Sequence, residues 1–169
     1  PVVYLAFGSV VRPTEELVAR LVEALDGGPW RVIWSLPKEQ QSAVPQDSER
    51  WRVTSWAPQA ELLQHERVRC FFTHCGGNSS QEAMAYGVPM VCMPYYGDQY
   101  EWSKSICAEL QAGVLVDKRA STALEIRAAV VRVLGAEQTY LRNAQALRGR
   151  LIGQLEGLAA GLQLAREAK

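Results

Sequence analysis

The sequence predicts an α/β domain built on a doubly wound parallel sheet, and three observations carry that prediction. Residues 2–7, 31–36, 68–73 and 89–93 are short apolar runs of strand length, as expected of strands buried on both faces. Segments with helical spacing lie between them. Glycine-containing turns, Gly8-Ser9 and His74-Cys75-Gly76-Gly77, stand where a strand ends. Strands alternating with helices imply right-handed crossovers and a sheet covered on both sides.

The elements follow in order. Residues 2–7 form the first strand. Residues 14–25 carry Leu17, Val18, Leu21, Val22 and Leu25 on one helical stripe, stopped by Asp26-Gly27-Gly28-Pro29. Residues 31–36 are the second strand. The polar stretch 37–50 reads as a loop with room for a short helix, and 51–56 as a third strand. Pro58 sits in the first turn of a short helix over 58–63. Residues 68–73 are a strand, 78–86 a helix ended by Gly87, 89–93 a strand, 98–110 a helix and 114–116 a last strand. Helices are expected over 121–134 and from 137 to about 152. The tail to 169 is helical in pattern but interrupted by Gly153, Gly157 and Gly161.

The 169 residues suit one domain, 48% hydrophobic, with 18 basic and 18 acidic side chains. No net positive field exists to attract nucleic acid or an anionic membrane, so any phosphate must be held by local geometry. Cys70, Cys75, Cys92 and Cys107 form no Cys-x-x-Cys pair and read as reduced, mostly buried thiols. There is no Asp-x-Asp metal motif, no signal-peptide pattern and no apolar run of membrane-spanning length. The chain opens on Pro1 with a strand at once, as expected of a segment of a longer protein.

The informative stretch is residues 56–99. His74-Cys75-Gly76-Gly77-Asn78-Ser79-Ser80 follows a strand and opens a helix. A helix start offers free N–H groups and the positive end of a dipole, which favour phosphate. Gly76 and Gly77 permit close backbone approach, Asn78 and Ser79 can cap the helix or donate to phosphate oxygens, and His74 adds a donor. The same residues also describe an ordinary capped turn. Glu82, one turn deeper on the face of Asn78, can accept two hydroxyl hydrogen bonds from a ribose diol, or can simply be a solvated helix glutamate. Trp56 offers a flat face for stacking a base, although an isolated Trp is more often core. Gln59 or the backbone at Ala57 can meet the base edge. Asp98-Gln99 suits sugar hydroxyls, and Asp98 also suits a helix N-cap. His65 reads as a structural histidine.

The order and spacing of Trp56, Pro58, Gln59, Leu63, His65, His74, Gly76, Asn78, Ser79, Glu82, Gly87, Pro89, Pro94, Asp98 and Gln99 resemble the plant secondary product glycosyltransferase signature over its full span. That signature belongs to UDP-sugar-dependent family 1 glycosyltransferases, the UDP-glucuronosyl/UDP-glucosyltransferase superfamily. Val3-Tyr4-Leu5-Ala6-Phe7-Gly8-Ser9 and Tyr140-Leu141-Arg142-Asn143-Ala144 also look like parts of the C-terminal half of these enzymes. The resemblance implies a Rossmann-like domain, the donor-binding half of a GT-B enzyme, spanning residues 1–169 and lacking the N-terminal acceptor domain.

By that resemblance Trp56 stacks on uracil, with Ala57 and Gln59 near the base and ribose. Glu82 binds the ribose hydroxyls. Ser9, His74, Gly76, Asn78 and Ser79 hold the diphosphate. Asp98 and Gln99 hold the sugar, Gln99 leaning toward glucose, and Gly77 belongs to the same donor site. The catalytic base of the family, a His, lies in the N-terminal domain, so no catalytic residue is assigned in this chain. No cofactor or metal is implied. The partners implied are UDP-sugar, the N-terminal acceptor-binding domain and a small lipophilic acceptor, in a parent expected in the cytoplasm, with the ER left open. The isolated domain is expected to bind donor without transferring it.

Two positions depart from the pattern. Gly77 stands where the plant enzymes usually have Trp, and Arg69 where Gly is expected. Other readings stay open from the sequence: a catalytically dead nucleotide-binding or interaction module, a TDP-sugar transferase, or a sugar-nucleotide epimerase of related fold.

Overall fold

Alternation along each strand feeds two apolar layers, and those layers set the architecture. The strands are β1 (Val2–Ala6), β2 (Arg31–Ser35), β3 (Trp51–Thr54), β4 (Val68–Thr73), β5 (Met90–Cys92) and β6 (Gly113–Leu115). The helices are α1 (Glu15–Leu25), α2 (Gln59–Gln64), α3 (Gly77–Tyr86), α4 (Gln99–Lys104), α5 (Ala123–Leu134) and α6 (Thr139–Glu167). The computed structural model describes residues 1–45, 48–135 and 137–167, with side chains as far as residue 154. In β1, Val3 and Leu5 enter one buried cluster with Leu21 of α1 and Ile126 of α5. Tyr4 and Ala6 enter the other, with Ala83 of α3 and Leu147 of α6. Successive strand residues point to opposite faces, so a strand covered on both sides is apolar at every position.

The six strands form one parallel sheet in the order β3-β2-β1-β4-β5-β6. The chain winds outward from β1 to β3, returns beside β1 as β4, and winds outward again. The switch point of the topology therefore lies between β1 and β4, where sheets of this kind take ligands outside their carboxyl ends. Ala6 pairs with Thr73, and Thr73 with Cys92. The turns that follow β1, β4 and β5 thus leave the sheet at one level.

Most elements fall where the sequence places them, and the differences have local causes. Residues 37–50 contain a 3₁₀ turn, Lys38–Ala43. The helix expected over 98–110 is α4 followed by a π-turn at Ser105–Glu109. The tail is not interrupted: α6 runs unbroken to Glu167. A glycine inside a helix costs about 1 kcal/mol against alanine but does not by itself end the helix. Cys70, Cys75 and Cys92 are buried free thiols and Cys107 is a partly buried one. Among the described residues no helix is long and apolar enough to cross a membrane, and no three His, Cys, Asp or Glu gather as a metal site.

Candidate functional site

The turn from β4 into α3 is tight, and its sequence explains how it is made. Cys75 carries a positive φ of 60°, uncommon for a residue with a side chain, and its N–H donates to Thr73 Oγ1 at 3.2 Å. Burial of Cys75 in the core anchors that conformation. The chain then enters α3 through Gly76, which takes the N-cap position with no side-chain cap. The first intrahelical bond is made by Ser80 N–H to the Gly76 carbonyl. The N–H groups of Gly77, Asn78 and Ser79 precede it, so they point out of the helix end with no turn of helix to receive them.

This corrects the capping expected from Asn78 and Ser79. Both lie inside the first turn of α3, because the helix starts at Gly77, and neither caps it. Asp98 does not cap α4 with its side chain either. Its backbone is helical (φ −63°, ψ −16°), whereas a capping residue is extended.

His74 is packed between two glycines. A methyl group at Gly8 would lie 2.9 Å from the ring, and one at Gly76 would lie 2.5 Å from Nε2. Gly8 also has φ +73°, so the turn after β1 reaches the imidazole only with glycine there. The turns after β1 and β4 therefore meet at His74, which brings Ser9, exposed on the first turn, to the same edge. Burial holds the His74 pKa below the usual histidine value, while the Ala6 carbonyl and the Asp98 carboxylate pull the other way. The imidazole is thus neutral at neutral pH, a hydrogen-bonding group rather than a cation.

The second cluster is polar. Gln59 Nε2 donates to Glu82 Oε2 at 2.9 Å and to Ser79 Oγ at 3.1 Å. These three residues come from α2 and α3, and the amide fixes the carboxylate while leaving its other oxygen available. Tyr4 lies beneath them, stacked on Phe71 with ring centroids 5.1 Å apart. Its hydroxyl stands 3.5 Å from Gln59 Oε1. Burial, with the nearby Glu82 carboxylate adding to it, raises the Tyr4 pKa to about 12, so the phenol stays protonated.

Trp56 is 73% exposed, whereas Trp30, Trp34 and Trp51 are all core. Thr54 holds its backbone, Oγ1 donating to the Trp56 carbonyl at 2.8 Å. A large apolar ring presented to solvent on a fixed loop, three residues ahead of Gln59, is not a packing element and leaves a flat face open. Ala57 packs against the core beside it. Asp98 is exposed and faces Gly77 at the start of α3: a methyl group there would lie 3.6 Å from Asp98 Oδ2. Gln99 is only 4% exposed, and its Oε1 accepts the N–H groups of Tyr95 (2.8 Å) and Tyr96 (3.2 Å). Its carbonyl oxygen therefore shapes the loop, and only its NH₂ is left for a ligand. His65 is exposed at the end of α2 and accepts the Arg67 N–H at 3.1 Å, a structural role as the sequence suggested.

Sequence reasoning missed three residues that support this arrangement. Tyr4 is the one polar-tipped side chain in an otherwise aliphatic run, and Thr73 is the polar end of Cys70-Phe71-Phe72. Each was visible as a hydroxyl in a buried strand, where it needs a partner. Lys118, beyond the signature-like stretch, donates to the carbonyl of Tyr95 and lies over the Tyr95 ring at 4.8 Å, pinning the loop that carries Asp98. It borders a pocket of about 420 Å³ lined also by Arg12, Leu17, Arg20 and Tyr95. A larger depression, about 540 Å³, lies where the strands begin, among Pro1, Trp30 and Arg50. It is remote from the open helix terminus and from Glu82.

Known proteins resemble this chain over most of its length. The family described as UDP-glucoronosyl and UDP-glucosyl transferase matches residues 1–149. A UDP-glucosyl transferase 74CD1 of Saponaria officinalis is 38% identical over 138 residues, covering 79% of this chain and 29% of that protein. The anthocyanidin 3-O-glucosyltransferase UFGT of Vitis vinifera is 37% identical over 154 residues, covering 87% of this chain and 34% of that one. A crystal structure of UDP-glucose: anthocyanidin 3-O-glucosyltransferase in complex with UDP superposes with a TM-score of 0.82 at 31% identity, covering 90% of this chain and 36% of that chain. Os79 from O. sativa in complex with UDP gives 0.79 at 27% identity, covering 87% and 35%. The chain spans about a third of the length of these relatives.

Proposed function

Because this chain belongs to the UDP-glucoronosyl and UDP-glucosyl transferase family, we propose that it is the donor-binding half of a hexosyltransferase that uses a UDP-sugar. The observation that carries this reading is the pairing of an uncapped helix terminus with the Gln59–Ser79–Glu82 cluster at the switch point of the sheet. In this reading Trp56 stacks on the base, and Gln59 and the backbone at Ala57 lie near it. Glu82, oriented by Gln59, accepts the two ribose hydroxyls. The diphosphate sits on the N–H groups of Gly77, Asn78 and Ser79, with Ser9, His74 and Gly76 around it. Asp98 accepts from the sugar, and the free amide of Gln99 donates.

Transfer forms a bond from an acceptor hydroxyl oxygen to the anomeric carbon and breaks the bond from that carbon to the β-phosphate oxygen. The acceptor proton leaves to a base, and UDP departs with the electron pair. The role of this chain is to hold the donor and to stabilise the charge that develops on the departing diphosphate. An α3 terminus with free N–H groups does this through its dipole, with His74 lining the same edge. The base and the acceptor site belong to the remainder of the parent protein. Glucose is the favoured sugar, and the acceptor is a small lipophilic molecule bearing a hydroxyl. The relatives that are anthocyanidin 3-O-glucosyltransferases support both points.

Calorimetry with UDP tests the proposal. Saturable binding below millimolar UDP, weakened for TDP, is the expected result. A folded chain that binds no UDP at millimolar concentration would overturn it. Alone, the chain is expected to bind UDP-glucose and transfer nothing.

A further inference from the structure

The side of Gly77 that lacks a side chain, at the first turn of α3, is faced by two groups from α4 and its start. A methyl group at Gly77 would lie 3.1 Å from Trp102 Nε1 and 3.6 Å from Asp98 Oδ2. The nitrogen is the nearest atom of the indole. Trp102 packs its body against the core cluster that also holds Ala83 and Ile106. It is only half-buried. The N–H groups of Trp30 and Trp51 are satisfied within the protein, by the Leu25 carbonyl and Asp26. That of Trp102 meets no acceptor among the described residues and is not sealed from solvent.

We infer that Trp102 is a specificity-determining residue of the donor site, donating its indole N–H to a hydroxyl of the hexose that Asp98 accepts from. The inference rests on the donor-binding reading above. Its chemistry follows from the two groups that face Gly77. On one side is a donor with no lone pair to offer, and on the other a carboxylate that only accepts. A single oxygen between them must both accept and donate, which a sugar hydroxyl does. A diphosphate oxygen accepts only, and the Asp98 charge repels it. The phosphates therefore stay on the far side of Gly77, over the free N–H groups of α3, and the sugar occupies the Trp102 side. The geometry also accounts for the glycine: any side chain at position 77 presses on the indole.

Trp102→Phe keeps an aromatic side chain and removes the N–H together with part of the ring, so the UDP affinity serves as the control for lost packing. Calorimetry on this chain with UDP and with UDP-glucose reads the difference. UDP affinity should stay within about twofold of the parent sequence. UDP-glucose should weaken about tenfold, equivalent to about 1.4 kcal/mol. A double-mutant cycle with Asp98→Asn should be non-additive, because both groups hold one hydroxyl. Equal loss of UDP and UDP-glucose in Trp102→Phe, an unchanged ratio of the two affinities, or an additive cycle would overturn the inference. Absence of UDP binding by the unsubstituted chain would instead remove the donor-site reading on which it stands.

Discussion

Helices α3 and α5 both begin on the carboxyl side of the sheet, and they begin in opposite ways. The N-terminus of α5 is closed by its own sequence. Thr122 Oγ1 accepts the Glu125 N–H, and the Glu125 carboxylate accepts the Thr122 N–H at 2.7 Å, a complete capping box. Helix α1 is also capped, by Thr14. At α3 the N-cap is Gly76, and no side chain closes it. Helices α2 and α4 also lack a side-chain cap, so what sets α3 apart is its place at the switch point beside the Gln59–Ser79–Glu82 cluster. An uncapped terminus informs only when a polar cluster stands beside it.

That contrast is open to measurement. The largest expected effect is at Glu82. Glu82→Ala should weaken UDP by about 1.5–3 kcal/mol, the worth of charge-assisted hydrogen bonds to the ribose. Glu101→Ala, on the exposed surface of α4, should change it by less than about 0.5 kcal/mol. Equal effects in titration calorimetry would make Glu82 an ordinary surface residue. Next comes the α3 entry. Gly76→Ala places a methyl group 2.5 Å from His74 Nε2, and relieving that overlap should cost about 1–3 kcal/mol, read as weaker UDP binding and a lower melting temperature. The converse is Thr122→Ala at α5. It should lower stability by about 1 kcal/mol in chemical denaturation while leaving UDP affinity unchanged, since that terminus is closed on itself. A loss of UDP affinity there would erase the distinction between the two helices.

The smallest effect concerns pH. Burial lowers the His74 pKa in the folded chain, so the unfolded chain binds the proton more readily. Stability is then full above the ordinary histidine pKa of about 6.5 and falls as pH drops through it. His74→Gln should flatten that part of the stability profile. A parallel slope in the variant would place the proton uptake on other groups.

Much of the site was legible in the sequence, because its residues come from one continuous stretch of turns and helix starts. The spacing of Asn78 and Glu82 sets them on one face of α3, and Trp56 and Gln59 stand at the mouth of a short helix whatever the rest of the chain does. Legibility failed where a partner came from afar. Asn78 and Ser79 have the composition of caps, yet the helix begins one residue earlier than their identity suggested. Gln99 looked free for a ligand, yet its carbonyl oxygen closes the loop at Tyr95 and Tyr96. Trp102 gave no local signal, since its role depends on an empty position 25 residues before it.

The sequence by itself determined the alternation of strands and helices, the glycine turns and the identity of the polar groups at them. These depend on periodicity and turn chemistry, which act over a few residues. The tertiary structure alone decided which of those groups meet. The strand order placed β4 beside β1 and so brought Gly8 against His74, Gln59 onto Glu82, and Trp102 against Gly77. Such contacts depend on register and on packing between elements distant in sequence, and no pattern within a single segment encodes them.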